Sequence, residues 1–149
     1  MRSQFSSKNM KILGIVLVAF LAVTAIVAQL IVEKNPPVLA EPVWDSPQTA
    51  ALVQRACADC HSNTTAWPWY TYVPPFSLVV ARDVQEGRQK LNFSEWVPGR
   101  RQATQEIVEN IRSGEMPPFI YYPTHPNARL SPAEQDQLIA GLKKSLQQP

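Results

Sequence analysis

The chain has 149 residues, a formal net charge of +2 and only two cysteines, so no larger cysteine framework is available. After residue 34 it carries ten Lys plus Arg and eleven Asp plus Glu, which places the excess positive charge in the N-terminal tail. No basic stripe remains outside that tail, and a nucleic-acid partner is therefore not expected.

An apolar segment follows the basic tail. Residues 12–32 form a run of 21 without a charged side chain, and a helix of that length, at about 1.5 Å per residue, spans a hydrocarbon layer of ~30 Å. Arg2, Lys8 and Lys11 precede it, so the positive-inside rule keeps the N-terminus cytoplasmic and exports the remainder. The run is longer than the apolar region of a typical cleavable signal peptide, which predicts an uncleaved anchor. Cleavage after the small residue Ala40 is the alternative.

The sequence divides into four predicted segments. They are a cytoplasmic tail at 1–11, a transmembrane anchor at 12–32, a proline-rich spacer at 33–44 and one small domain at 45–149. Prolines at 36, 37 and 42 favour an extended spacer that lifts the domain off the membrane. The predicted location is the cytoplasmic (inner) membrane, crossed once, with the C-terminal domain in the periplasm or at the outer face.

The domain shows helical patterns and no clear strand, which predicts an all-α fold. The first helix starts at Ser46, an N-cap followed by Pro47 at N1, and runs to Cys60. Its inner face consists of Leu52, Val53, Ala56, Cys57 and Cys60. The second helix begins at Pro75 and ends before Gly87. It turns Leu78, Val79 and Val84 inward.

Two further helices complete the domain. The third covers about 102–113 and ends at Gly114, a usual C′ residue. The fourth opens with Ser131-Pro132-Ala133-Glu134, a capping box with proline at N1. The apolar stripes are Ala103, Ile107, Val108 and Ile111 in the third helix, and Leu138, Ile139, Leu142 and Leu146 in the fourth. The 14 prolines imply long loops, and a domain of this size then buries a thin core.

The pentapeptide Cys57-Ala58-Asp59-Cys60-His61 is the main chemical motif. C-x-x-C-H is the attachment signature of a covalently bound c-type haem. Two thiols on one face of a helical turn can bond to the two vinyl groups of the porphyrin, and His61 then faces the iron as proximal ligand. The prediction is one covalent haem c, with its iron, per chain. Its apolar faces would fill the thin core, and c-type haem attachment in bacteria follows export.

Three other uses of these residues were weighed. A disulfide between Cys57 and Cys60 closes a very small ring and removes little entropy from the unfolded chain. A thioredoxin-like dithiol requires a strand-to-helix junction, whereas the residues before Cys57 have a helical pattern. Zinc bound by Cys57, Cys60, His61 and His125 is the third. It is disfavoured because consecutive Cys60 and His61 point different ways from a helix.

Aromatic side chains follow the motif directly. Trp67, Trp69 and Tyr70 lie in the loop that leaves His61, and large flat rings suit the edge of a porphyrin. At least one of them is predicted to contact the haem. The alternative is that they are ordinary core and surface aromatics of the loop.

The sixth iron ligand has two candidates. Met116 lies in Gly114-Glu115-Met116-Pro117-Pro118, where the following proline favours extended backbone that lets a thioether cross an open haem face. A gap-filling core methionine is the alternative. His125, the only other histidine, competes for the position because imidazole binds iron strongly, although it is also an ordinary loop residue. Met116 is the predicted ligand and His125 the alternative.

Two more motifs show no catalytic logic by themselves. They are Glu86-Gly87-Arg88 and the segment 91–96, Leu-Asn-Phe-Ser-Glu-Trp. Arg88, Arg100 or Arg101 is a candidate partner for a haem propionate, since guanidinium binds carboxylate in a bidentate fork. A structural or solvated ion pair is the alternative.

Taken together, these motifs resemble the bacterial haem-binding domain family, a single-haem c-type group. The resemblance rests on residues 57–63, 67–70, 86–88, 91–96, 114–118 and 125–126. It covers most of 44–142, with the anchor outside. The resemblance implies a small, cytochrome c-like helical haem domain with His61 on the iron. It also implies that Met116 and His125 both belong to the family pattern, so it leaves the sixth ligand open.

The predicted function is single-electron transfer by a membrane-anchored mono-haem cytochrome. Two axial protein ligands leave no open iron position, which suits a carrier. A haem sensor or ligand-binding module with a displaceable sixth ligand is the alternative. A peroxidase needs distal acid and base groups, and one spare histidine supports it weakly, so enzymatic activity is not the expectation. The redox partner proteins are not identified by the sequence.

Overall fold

The computed structural model describes residues 7–31, 35–97 and 101–146, with the side chains of 28–31 and 101–103 outside the description. Within these ranges the chain is all-α, as predicted, and forms six helices without a strand. They are α1 Ser7–Ile31, α2 Pro47–Ala56, α3 Ala58–His61, α4 Phe76–Lys90, α5 Arg101–Ser113 and α6 Pro132–Leu146. Three short 3₁₀ turns lie between them, at Trp69–Tyr72, Phe119–Tyr121 and Pro126–Ala128.

The described residues fall into two compact units. One contains 7–31 and 67–83, and the other contains 35–66, 84–97 and 101–146. In the first unit, α1 is long and apolar enough over Ser7–Val27 to cross a membrane, and its large side chains are exposed. An exposed apolar helix near the N-terminus is a membrane anchor or a signal sequence.

The hydrophobic core of the second unit lies among α2, α5 and α6. The predicted stripe of α6 is confirmed, since Leu138, Leu142 and Leu146 are almost completely buried. They pack with side chains from three other parts of the unit, namely Leu52, Val53 and Ala56 of α2, Val108 and Ile111 of α5, and Phe93, Trp96 and Leu130. Both α5 and α2 pack against α6. The helical periodicity of the sequence therefore identified the central layer correctly.

The predicted first helix is interrupted at its functional end. Its start is confirmed, because the Ser46 side chain accepts the Thr49 N–H at 3.2 Å and Pro47 is the first helical residue. The helix ends at Ala56 instead of running to Cys60, because Cys57 has φ −130° and ψ −37°. A separate helical turn, α3, then begins at Ala58. This break changes the direction of the chain within the C-x-x-C-H motif.

The second predicted helix differs more from the structure. Val84 is buried as expected, but Leu78 and Val79 are each 49% exposed, so their inward placement was wrong. The helix does not stop before Gly87 but continues to Lys90. The sequence pattern predicts Gly87 as a helix end, whereas in the structure Gly87 makes a close contact with Cys60 of α3.

The ends of α5 and α6 follow local rules. Gly114 has a positive φ of 77°, as expected for a C′ residue. At the start of α6, the Ser131 N–H donates to Glu134 Oε2 at 2.8 Å and the Glu134 N–H to Ser131 Oγ at 3.3 Å, which confirms the capping box. Val108 and Ile111 are buried and Ile107 is partly buried, whereas the side chain of Ala103 lies outside the described part.

The segment 35–44, expected as a spacer, is extended and bonded to the second unit. The N–H groups of Leu39 and Ala40 donate to Ser94 O at 2.9 and 3.1 Å, and the Trp96 N–H donates to Ala40 O at 2.9 Å. The ring of Trp44 meets the edge of Phe93 at a centroid distance of 5.4 Å. We call residues 35–44 the strap.

Candidate functional site

Cys57, Cys60 and His61 lie on two consecutive pieces of helix joined at Cys57. Neither thiol forms a disulfide, and both side chains are partly buried. The carbonyl of Cys57 accepts the N–H of Cys60 at 3.2 Å and of His61 at 3.0 Å. These bonds make Cys57 the cap of the helical turn α3, so the three side chains of the motif lie on one turn of helix.

The imidazole of His61 has a defined proton position. Its Nδ1 lies 3.0 Å from Gly87 O and 3.1 Å from Leu91 O, both at the end of α4. Carbonyl oxygens only accept hydrogen bonds, so Nδ1 must carry the proton. Burial lowers the pKa of His61 below its ordinary value, against the opposing effect of the two carbonyl bonds. The neutral ring therefore keeps a lone pair on Nε2, the form that binds a metal.

Gly87 allows α4 to approach the motif closely. A Cβ at this position would lie 2.5 Å from Cys60 O and 3.2 Å from Cys60 Cβ, which no side chain tolerates without movement. The glycine therefore brings its own carbonyl within reach of His61. This contact explains the glycine of the Glu86-Gly87-Arg88 motif, which had no evident role in the sequence.

Arg88 fastens the segment after His61 to α4. Its Nε donates to Ser62 O, and its Nη2 donates to Thr65 Oγ1 and to Asn35 Oδ1, each at 2.9 Å. Asn35 is the first described residue of the strap and donates to Thr65 O at 2.8 Å. These bonds favour the structural interpretation of Arg88 over a propionate contact. Arg100 and the side chain of Arg101 lie outside the described residues.

The second unexplained motif, at 91–96, encloses the backbone of residues 61–63. The Phe93 N–H donates to His61 O at 2.8 Å, and the Asn63 N–H donates to Ser94 Oγ at 2.9 Å. The Asn92 amide donates to Asn63 Oδ1 at 2.9 Å, while the Asn63 amide reaches Pro37 O of the strap at 2.8 Å. Asn63 and Ser94 are almost completely buried. This network fixes the chain on the C-terminal side of the histidine.

The Cys57 thiol does not have the lowered pKa of a reactive C-x-x-C cysteine. Burial, with the neighbouring Cys60, raises the pKa of the Cys57 thiol to about 12, whereas reactive C-x-x-C cysteines have a lowered pKa. Among the described residues no group of three or more His, Cys, Asp and Glu side chains is placed to hold a metal ion. His125, which that zinc hypothesis required, instead lies beside Asp59 and Tyr121.

The two sixth-ligand candidates have different surroundings. Met116 is partly buried, and its N–H donates to Asn110 O of α5 at 3.0 Å. His125 stacks on the ring of Tyr121 at 3.9 Å with an interplanar angle of 9°. Its Nδ1 is 3.0 Å from Thr124 Oγ1, and its Nε2 is 3.8 Å from Asp59 Oδ2. Both ring nitrogens of His125 therefore have local polar neighbours.

The three aromatic residues that were predicted to contact the haem lie in the first unit. Trp69 and Tyr70 form an edge-to-face pair with a centroid distance of 6.1 Å. Trp69 is 78% exposed, and Trp67 and Tyr70 are partly buried. All three belong to the unit that contains residues 67–83, so contact between them and a haem remains a prediction.

Comparison with known proteins identifies the family. The sequence model of the haem-binding domain family matches residues 14–144. The chain belongs to this family. Searches of curated proteins and of solved structures found no match. Because the match begins at residue 14, the earlier expectation that the apolar segment lies outside the family pattern was wrong.

The side chains of this haem-binding domain fit the group that the family name implies. Two cysteines at the required spacing, neither of them in a disulfide, and one histidine whose Nδ1 donates to a carbonyl are the donor set of haem c attachment. Sequence reasoning missed the residues that position this set, namely Asn63, Gly87, Arg88, Leu91 and Ser94. Gly87, Arg88, Leu91 and Ser94 belong to the two motifs without an assigned role, and Asn63 lies two residues after His61.

Proposed function

We propose that this haem-binding domain is a membrane-anchored mono-haem c-type cytochrome that transfers single electrons outside the cytoplasm. Cys57 and Cys60 are the covalent attachment points, and His61 is the proximal ligand. The observation that carries the proposal is the pair of bonds from His61 Nδ1 to Gly87 O and Leu91 O. They fix the tautomer and ring orientation that an iron-ligating histidine requires.

Met116 is the sixth ligand in this proposal. The Gly114 turn and the bond from the Met116 N–H to Asn110 O hold the methionine backbone against α5. The imidazole of His125 is held by stacking and by neighbours at both nitrogens, so ligation by His125 would require these contacts to be broken. The thioether of Met116 has no comparable competing bond to lose, because thioether sulfur is only a weak acceptor.

The bound haem supplies a one-electron iron couple, and the chain supplies its setting. His61 and Met116 would both ligate the iron, which would leave no site for exchange of small ligands. Methionine raises the reduction potential relative to a second histidine. An iron that keeps both protein ligands when it gains or loses an electron is suited to carrying electrons. Contacts from Trp67, Trp69 or Tyr70 would shield the porphyrin edge from water.

The proposal also assigns a retained anchor. Lys8 and Lys11 precede the apolar core of α1 and favour a cytoplasmic N-terminus. Cleavage after Ala40 would remove the part of the strap that contains Asn35, Pro37 and Leu39, all of which are bonded to the second unit. The backbone of Ala40 is itself paired with residues 94–96, and cleavage there would disturb this pairing.

Covalent attachment is tested on the denatured protein. We expect the haem to remain with the chain after acid-acetone extraction and to give a c-type pyridine haemochrome, with one haem per chain. Cys57→Ser and Cys60→Ser should each leave a single thioether and shift the haemochrome band, and the double variant should release its haem. Extraction of all haem from the unsubstituted protein would refute the assignment.

Ligation is tested by a matched pair of variants, Met116→Ala and His125→Ala. We expect the oxidised protein to show the weak sulfur-to-iron band at the red end of the visible spectrum, and Met116→Ala to abolish it and lower the reduction potential. His125→Ala should retain the band. The opposite result, with high-spin iron only in His125→Ala, would assign the position to His125.

A further inference from the structure

Asp59 lies between the two cysteines and uses both carboxylate oxygens. Its Oδ1 accepts the Ala66 N–H at 2.9 Å, and its Oδ2 accepts the hydroxyl of Tyr121 at 2.6 Å. The second bond joins the C-x-x-C-H turn to a part of the chain 62 residues away. It is short and charge-assisted, and bonds of this kind are stronger than neutral ones.

Tyr121 is itself held firmly in its loop. Its N–H donates to Pro118 O at 2.9 Å, and its carbonyl accepts the His125 N–H at 3.1 Å. The His125 ring stacks on the Tyr121 ring at 3.9 Å. These contacts hold Tyr121 in place within residues 118–125, the segment that follows Met116 and Pro117 directly.

The Met116 loop is consequently attached at both ends to different helices. At one end the Met116 N–H is bonded to Asn110 O of α5. At the other end, five residues later, Tyr121 is bonded to Asp59 of α3. Pro117 between them is buried, which further restricts the loop. The second attachment connects this loop to α3, the helical turn that carries Cys60 and His61.

We propose that the Tyr121–Asp59 hydrogen bond is a latch that holds the Met116 loop in the position from which Met116 would ligate the iron. Tyr121 and Asp59 are positioning residues in this assignment, and neither touches the metal. The inference rests on the proposed ligation by Met116 and extends it. The latch keeps the domain a six-coordinate carrier, because an open loop would expose the sixth position to small ligands.

The test measures loop opening in the full-length, haem-loaded protein in detergent. Carbon monoxide binds ferrous haem only after methionine leaves, so its binding rate follows the open population. Tyr121→Phe removes the hydroxyl and preserves the ring. We expect about a tenfold to hundredfold faster carbon monoxide binding, the range that a hydrogen bond to a charged group implies, and a weaker sulfur-to-iron band. Tyr122→Phe is the matched control, since the Tyr122 ring faces Arg129, and it should bind at the unsubstituted rate.

Asp59→Asn and the double variant separate the latch from general damage. If the bond is the cause, the double variant binds carbon monoxide no faster than Tyr121→Phe, because the same interaction is lost once. Rates that multiply in the double variant, or a Tyr121→Phe rate within twofold of the control, would overturn the latch. A normal sulfur-to-iron band in Met116→Ala would refute the ligation itself, and the latch with it. A normal Met116 ligation with an unchanged Tyr121→Phe rate would refute the latch alone.

Discussion

A single imidazole shows how the site depends on contacts at the scale of one residue. The Nδ1–H of His61 lies within hydrogen-bond distance of two carbonyl oxygens, Gly87 O and Leu91 O. The carbonyl of His61 itself accepts the N–H of Phe93. None of these partners is adjacent to it in sequence. The metal-binding form of the ring is thus set by α4 and by the segment that follows it.

Gly87→Ala tests this dependence. The added methyl group would lie 2.5 Å from Cys60 O, so α4 must move away from α3 and its carbonyls from His61. We expect a loss of about 1–3 kcal/mol in the free energy of unfolding and a reduced yield of haem-loaded protein, measured by thermal unfolding and haemochrome.

Gln89→Ala is the control for this substitution, since Gln89 is an exposed residue two positions along the same helix. It should be nearly neutral in both measurements. Equal haem yield and stability for Gly87→Ala and the control would show that the close contact does not matter.

At the scale of elements, α6 is fastened to α2 at its first turn. The hydrogen bonds from Arg55 and from the N–H and hydroxyl of Ser131 lower the pKa of Glu134 to about 2. Glu134 is therefore both the acid of the capping box and the partner of α2. One carboxylate both begins α6 and pairs it with the helix that leads to the C-x-x-C-H turn.

The lowered pKa predicts a pH dependence of stability. A carboxyl whose pKa is lower in the folded state stabilises the fold above its unfolded value of about 4.5, and this contribution disappears as pH falls towards 2. Glu134→Gln should accordingly unfold at a lower temperature than the unsubstituted protein near neutral pH. The difference should shrink as pH falls from 4.5 towards 2.

Glu106→Gln, at an exposed position of α5, serves as the control. Its melting temperature should follow that of the unsubstituted protein over the same pH range. A Glu134→Gln difference that stays constant down to pH 2 would contradict the assigned hydrogen bonds.

At the scale of the whole molecule, the strap is hydrogen-bonded to residues 63–65, which follow the C-x-x-C-H turn. Asn35 and Pro37 are bonded to Thr65, Arg88 and Asn63, residues of the same unit that follow or contact the C-x-x-C-H turn. Loss of the strap would remove these bonds and the Trp44–Phe93 contact. The segment that the sequence presented as a spacer thus contributes to the site.

The proposal that the anchor is retained leads to a prediction about the mature protein. We expect it to stay in the membrane pellet after alkaline carbonate washing, with the C-terminal domain open to protease added from outside the cytoplasm. Mass spectrometry should find residues 35–40 present in the haem-loaded chain. A mature N-terminus at Glu41 would contradict this and would also exclude a structural role for the first part of the strap.

Sequence patterns succeeded where the cause is local. Ser46 and Ser131 were found as helix starts, Gly114 as a helix end and Leu138, Leu142 and Leu146 as the inner face of α6, because caps and periodicity operate within one or two turns. The same local rules misplaced Gly87, which they treat as a helix end. The same rules predicted that Leu78 and Val79 face the core. Apolar spacing by itself does not show which face of a helix is covered by the rest of the protein.

The sequence by itself determined the all-α fold, the starts of α2 and α6, the end of α5 and the spacing of Cys57, Cys60 and His61, since each follows from neighbouring residues. Only the tertiary structure decided why Gly87 is a glycine, which nitrogen of His61 carries the proton and where the strap binds. These features arise from contacts between residues that lie from 26 positions apart, for His61 and Gly87, to 56 positions apart, for Ala40 and Trp96. Spacing along a chain does not reveal which distant backbones meet. The break at Cys57 was also missed, because a single non-helical residue changes the direction of a helix without interrupting its apolar pattern.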